Sequence, residues 1–180
     1  MGAMMRSTSE VINDNLYKEN WVKARSLIRK ELKNNPKSHW LLTRLGSTYY
    51  EERLYRKSLH IAQQAYQLAP SCPLVLWDYA GSLDMVGKHK KAIEVWEKIL
   101  KMGVTKVAYG EHGEGLRWAR ALLNDCRYRI GLAYYKIGNL QSAKKYIQQH
   151  LKYRKLSYSI YGLSLVKRDL AHIDNTAKQK

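Results

Sequence analysis

Small and large residues recur along this chain with a period of 34, and such a period settles an architecture before any single helix is assigned. Ala24, Ser58 and Ala92 are spaced by 34 residues, as are Gly46 and Ala80, and Pro36 and Pro70. Large residues keep the register in Leu42 and Leu76, Leu45 and Tyr79, Tyr49 and Leu83, and in Leu32, Tyr66 and Leu100. Two antiparallel helices approach closely only where Gly, Ala or Ser removes bulk, while a large neighbour fills the space beside it. Each period therefore reads as a helix pair. Gly87 and Gly138 fall at turns within their repeats, where positive φ is easily reached. Pro36 and Pro70 close second helices, because proline lacks the amide donor and disfavours helix in the residue before it.

The pattern resembles the tetratricopeptide repeat family, which has a large residue, Leu-Gly, Tyr, a later Ala, an aromatic and Pro in fixed order. Residues 39–72 match through Leu42, Leu45, Gly46, Tyr49, Ser58, Ala65 and Pro70, and residues 73–106 through Leu76, Tyr79, Ala80, Leu83, Ala92 and Trp96. Residues 124–157 match through Ile130, Gly131, Tyr134, Ala143 and Ile147. Residues 5–38 match in their second half, at Ala24, Ile28, Leu32 and Pro36. The resemblance implies an all-α fold, a right-handed superhelix of about four helix pairs with a C-terminal capping helix. It is specific for fold and silent on ligand.

From Ala92 to Ala143 the step is 51, so 17 residues are inserted between the third and fourth repeats, at 107–123. The glycine-rich stretch Gly103 to Gly115 reads as a loop, and Leu116 to Ile137 as one long helix with apolar residues near helical spacing. Ile160, Leu163, Val166, Leu170 and Ile173 form an apolar stripe opposite Lys167, Arg168 and Asp169, which predicts a capping helix over 158–174. The polar tail 175–180 is expected to fray. These elements together predict a single domain over 5–174.

Two cysteines, Cys72 and Cys126, with no CxxC spacing support neither a disulfide framework nor a structural zinc site. There is no apolar run of membrane-spanning length and no signal-peptide-like stretch at the start, so a cytoplasmic protein with no membrane partner is expected. No nucleophile elbow, phosphate-binding glycine loop or HExxH motif is present, so no enzyme, no metal and no cofactor are expected, and a small-molecule substrate is disfavoured. The net charge is +17, and residues 115–168 carry twelve Lys or Arg against one acid, Asp125. Such charge bears on association and not on fold.

In the family the first helices of the repeats line a groove for partner segments. The residues expected to face it are Trp40, Arg44, Tyr50, Trp77, Asp78, Tyr128, Arg129 and Tyr135. Trp, Tyr and Arg join large contact area to a polar handle, as binding hot spots do. Packing between repeats is the competing role for Trp40 and Trp77. The inserted segment offers a second contact surface in Glu111, His112, Glu114, Arg117 and Arg120. An alternative has Glu111 or Glu114 capping the long helix. Asp125 and Arg129, one turn apart, are expected to pair on the surface. Arg127 takes the site of Leu42 and Leu76, where it either snorkels or meets an acid.

The leading function is therefore a protein-interaction module, a scaffold, adaptor or chaperone-like holder that binds a partner peptide or helix in its concave groove. The alternative is a nucleic-acid- or ribosome-associated protein. Lys144, Lys145, Lys152, Arg154 and Lys155 interleave with Tyr146 and Tyr153, as phosphate and stacking sites do.

Overall fold

Four turns in this protein close in the same way, and they set the repeat. In the computed structural model, which describes residues 6–154 and 158–179, the amides of Asn20, Leu54, Lys88 and Asn139 donate to the carbonyls of Asn15, Tyr49, Leu83 and Tyr134 at 2.8–2.9 Å. One residue earlier, the amides of Glu19, Arg53, Gly87 and Gly138 donate to Leu16, Tyr50, Asp84 and Tyr135 at 2.9–3.1 Å. This is the paired-bond helix ending in which a residue with positive φ satisfies the last carbonyls. Gly87 and Gly138 adopt φ of 81° and 80°, while Glu19 and Arg53 take the same place at 58° and 60°. The repeat that matches only in its second half thus carries the same internal turn as the others.

Nine helices are present among the described residues: α1 Thr8–Tyr17, α2 Trp21–Asn34, α3 His39–Glu51, α4 Tyr55–Leu68, α5 Pro73–Met85, α6 His89–Tyr109, α7 Leu116–Lys136, α8 Leu140–Arg154 and α9 Leu163–Lys178. The fold is all-α and repetitive, as the period requires. Contacts divide the chain into two compact units, 1–70 and 71–180. In the first unit α1 packs on α2, α2 on α3 and α3 on α4; in the second, α5 through α9 pack in the same successive way. Ala24, Ala92 and Ala143 are fully buried and Ser58 nearly so.

Local chemistry sets several boundaries. Ser7 and Glu10 cap α1 reciprocally, with the Ser7 amide donating to Glu10 Oε2 at 2.8 Å and the Glu10 amide to Ser7 Oγ at 3.3 Å. The Leu41 amide donates to Ser38 Oγ at the start of α3. Pro73 opens α5, where its missing amide hydrogen leaves no bond unmade.

The insertion departs from its expected form. The loop predicted from Gly103 to Gly115 is shorter: α6 breaks at Gly103 (φ 74°, ψ 167°) and then resumes as helix to Tyr109. Val107 and Ala108 are buried, and that burial holds the extra turn in place. The long helix α7 runs for 21 residues, as its periodicity predicts. The last helix begins at Leu163 and continues to Lys178, through most of the tail expected to fray. Ile160 lies outside that helix and is 63 % exposed, so it is not part of the capping stripe. Val166 and Ile173 are buried, as expected of the cap. No helix among the described residues is long and apolar enough to cross a membrane.

Candidate functional site

In the N-terminal unit, Trp40 packs against the core formed by Ile12, Ile28, Leu41 and Leu45. The Arg44 guanidinium sits over the Trp40 ring at 5.4 Å, a cation–π pair on one face of α3. Tyr50 meets the Tyr55 ring edge-on at 5.4 Å. Trp40 therefore serves packing, with Arg44 covering its outer face.

In the C-terminal unit the predicted groove residues separate into distinct environments. Tyr128 is 1 % exposed, which removes it from any open surface. Its hydroxyl donates to Asp169 of α9, and its ring lies 4.4 Å from Tyr161 and 5.4 Å from His150. The C-terminal segment covers this face of α7. Burial and the neighbouring carboxylate push the Tyr128 phenol well above its ordinary range. Asp169, expected on the solvent side of the cap, is turned inward to meet it. Tyr135 stays partly exposed, with its hydroxyl 2.7 Å from His172 Nε2.

Arg129 belongs to a buried ion cluster. Asp84, 2 % exposed, receives Arg129 Nη2 at 3.1 Å, Lys136 Nζ at 2.8 Å and His89 Nδ1 at 2.7 Å. The same guanidinium covers the fully buried Trp96 ring at 5.2 Å, and Trp96 lies 6.4 Å from Trp77. Asp125 does not form the expected surface pair with Arg129. It is buried and accepts from the Ser159 hydroxyl and the Ile160 amide. Burial pushes its carboxyl above the usual range, partly offset by those two donors.

Trp77, half-buried on α5, opens onto a cleft of about 450 Å³ within this unit. Trp118, Ala121, Leu122 and Asp125 supply its α7 wall, and Tyr158 and Ile160 supply the segment before α9. Positions 118, 121, 122 and 125 are spaced as one helix face requires. Tyr158 and Ile160 are each 63 % exposed. Glu114 and Arg117 line the cleft as well, so the insertion and the repeat helix α5 share one site. On the sequence alone, Trp118 and Tyr158 are not singled out, and Ile160 is assigned to the capping stripe instead of to a cleft. The spacing of 118, 121, 122 and 125 could have singled out Trp118, whereas the place of Tyr158 and Ile160 depends on how the chain returns from α8.

The rest of the insertion faces elsewhere. Glu111 is exposed, with the half-buried His112 4.0 Å away, and Arg120 lines a different cleft. Neither Glu111 nor Glu114 caps α7, whose N-cap is Gly115 with no side-chain bond. Of the basic series, Lys144 pairs with Asp174 at 2.7 Å and Arg154 donates to the Tyr161 carbonyl. Lys145 and Lys152 are exposed, and Lys155 lies outside the described residues. Of the interleaved aromatics, Tyr146 donates to Glu97 at 2.8 Å and stacks on Tyr134, while Tyr153 packs on Arg127. Both rings that would stack on bases are thereby engaged by the protein itself.

No protein-family model matches the sequence, and comparison with curated proteins finds no match. Solved structures do match. A MamA fragment from Desulfovibrio magneticus RS-1 is 12 % identical, covering 95 % of this chain and 84 % of its own, with a TM-score of 0.74. A Podosopora anserina putative kinesin light chain with nearly identical TPR-like repeats is 15 % identical, covering 97 % and 87 %, with a TM-score of 0.69. At such identities the likeness establishes the fold: that of tetratricopeptide-like repeat proteins.

Proposed function

From a chain with the fold of tetratricopeptide-like repeat proteins, we propose a protein-interaction module that holds a segment of a partner protein in the cleft between α5 and α7. The convergence of Trp77, Trp118, Leu122, Tyr158 and Ile160 on one open cavity carries this reading. Large aromatic and aliphatic groups that the fold leaves in solvent are the anchors from which interfaces draw most of their energy. Glu114 and Arg117 supply both signs of charge at the same cavity and suit a mixed-charge segment. The role is scaffold, adaptor or holder, without a chemical step.

The test uses the tagged full chain to capture partners from its source cell, with and without nuclease, beside the variant Ile160→Lys. Because Ile160 is mostly exposed, this variant keeps the fold. A protein that survives nuclease and is weakened about tenfold or more by Ile160→Lys supports the cleft. Loss of all partners on nuclease treatment would favour nucleic acid, and a partner indifferent to Ile160→Lys would remove the cleft from the binding surface.

A further inference from the structure

Arg127 fits neither the repeat pattern nor the interaction cleft. It is half-buried at a position where other repeats carry leucine, and its Nη1 donates to the Leu123 carbonyl at 3.0 Å. Its guanidinium carbon lies 4.1 Å from the centre of the Tyr153 ring. No ion pair among the described residues involves it. Of the other half-buried arginines, Arg129 meets Asp84 and Arg25 meets Glu52, while Arg44 lies over the Trp40 ring and Arg154 donates to the Tyr161 carbonyl. Desolvating a cation without an opposite charge is costly, and burial alone pushes the Arg127 guanidinium below its ordinary range.

The same side chain lines a second cleft, of about 320 Å³, walled by Leu100, Gly103 and Val104 of α6, Arg120 and Leu123 of α7, and Tyr153 of α8. Arg120 and Arg127 stand two turns apart on one face of α7. Arg120 is exposed and joins no ion pair among the described residues. The break at Gly103 helps to keep the space clear, since nothing stands within 4 Å of where its Cβ would be. Val104 and Tyr153, 37 % and 42 % exposed, leave apolar wall in solvent. The lining therefore holds two cations, no acid and an apolar floor. Its volume is of the size that holds a compact ligand.

We infer that this cleft binds a small amphipathic carboxylate, an aliphatic acid whose chain lies along Leu100, Val104 and Leu123 and whose head group meets Arg120 and Arg127. A carboxylate accepts from a guanidinium in a fork, which supplies the missing charge and uses donors that Leu123 does not occupy.

Titration calorimetry with the full chain tests it, using octanoate, octanol and acetate as probes. Octanoate should bind about tenfold or more tightly than octanol, which lacks the charge, and than acetate, which lacks the chain. Arg127→Met and Arg120→Gln should each weaken octanoate by about tenfold or more. Arg127→Met should also melt no lower than the parent, because it removes a desolvated charge at similar length. If Arg127→Met does not fold, Arg120→Gln and Val104→Trp, both at exposed positions, decide the matter, and each must reduce octanoate binding. Octanoate no tighter than octanol, no binding at all, or affinity unchanged in these variants would overturn the inference. So would a peptide ending in Leu-Leu that outcompetes octanoate, because the site would then belong to chain ends.

Discussion

In the N-terminal unit the buried polar side chains Asn15, Thr43 and Thr48 donate to carbonyls of their own helix, three or four residues back. In the C-terminal unit Asp84, Asp125 and His150 reach partners 26 to 52 residues away in sequence. The Asn124 side-chain amide and His150 Nε2 are buried there without a hydrogen-bond partner among the described residues. The units share a repeat and a turn, so the repeat does not explain the contrast. What differs is that α7 is met by polar groups from α5, α8 and the segment before α9. The repeat part of α7 carries these groups: Arg129 and Lys136 meet Asp84 of α5, Asp125 meets Ser159 and Ile160, and the Asn124 carbonyl meets His150 of α8. The N-terminal unit makes a long-range ion pair as well, Arg25 with Glu52, but among the described residues the buried carboxylates, Asp84 and Asp125, lie in the C-terminal unit and draw their partners from distant segments.

The contrast breaks most visibly at Asp84. Asp84→Asn should cost roughly 3 kcal/mol in denaturant unfolding, because Arg129 and Lys136 would share a buried site with no anion. Thr48→Val in the other unit should cost about 1 kcal/mol, the worth of one local bond. Comparable losses would show that the two networks are energetically alike.

The glycines at equivalent repeat positions sharpen it next. A Cβ on Gly131 would stand 2.6 Å from Ile147 Cγ1 and 3.1 Å from the Ala143 carbonyl oxygen, whereas on Gly46 the nearest atom is 3.7 Å away. Gly131→Ala should destabilise by about 1–2 kcal/mol through overpacking. Gly46→Ala should stabilise by up to about 1 kcal/mol through helix propensity. Thermal melts of the pair check both signs, and a stabilised Gly131→Ala would mean that α7 and α8 are packed less tightly than described.

The smallest effect lies in the turns. Arg53 holds a left-handed conformation that Gly87 supplies without a Cβ. Arg53→Gly should gain up to about 1 kcal/mol and Gly87→Ala lose about as much, read from denaturation midpoints. Equal and null changes would show that this turn carries no strain in either unit.

The period of 34 made the helix pairs, the turn glycines and the buried small residues legible, because packing of adjacent helices is a local repeating constraint. The same logic located the start of α7 at Leu116. It misjudged Tyr128, whose place on a first helix suggested an open groove, because the covering residues Tyr161 and Asp169 lie 33 and 41 positions later. Trp40 and Arg44 were visible as a pair, since four residues bring side chains together on any helix.

By itself the sequence determined that this chain is a stack of helix pairs with one lengthened member, since side-chain volume and backbone conformation at fixed spacing admit little else. Tertiary structure alone decided which aromatic groups meet solvent, which carboxylate takes which cation, and that Arg127 faces a cleft without an acid. Those outcomes depend on segments far apart in the chain arriving at one place, and no local rule of spacing carries that information.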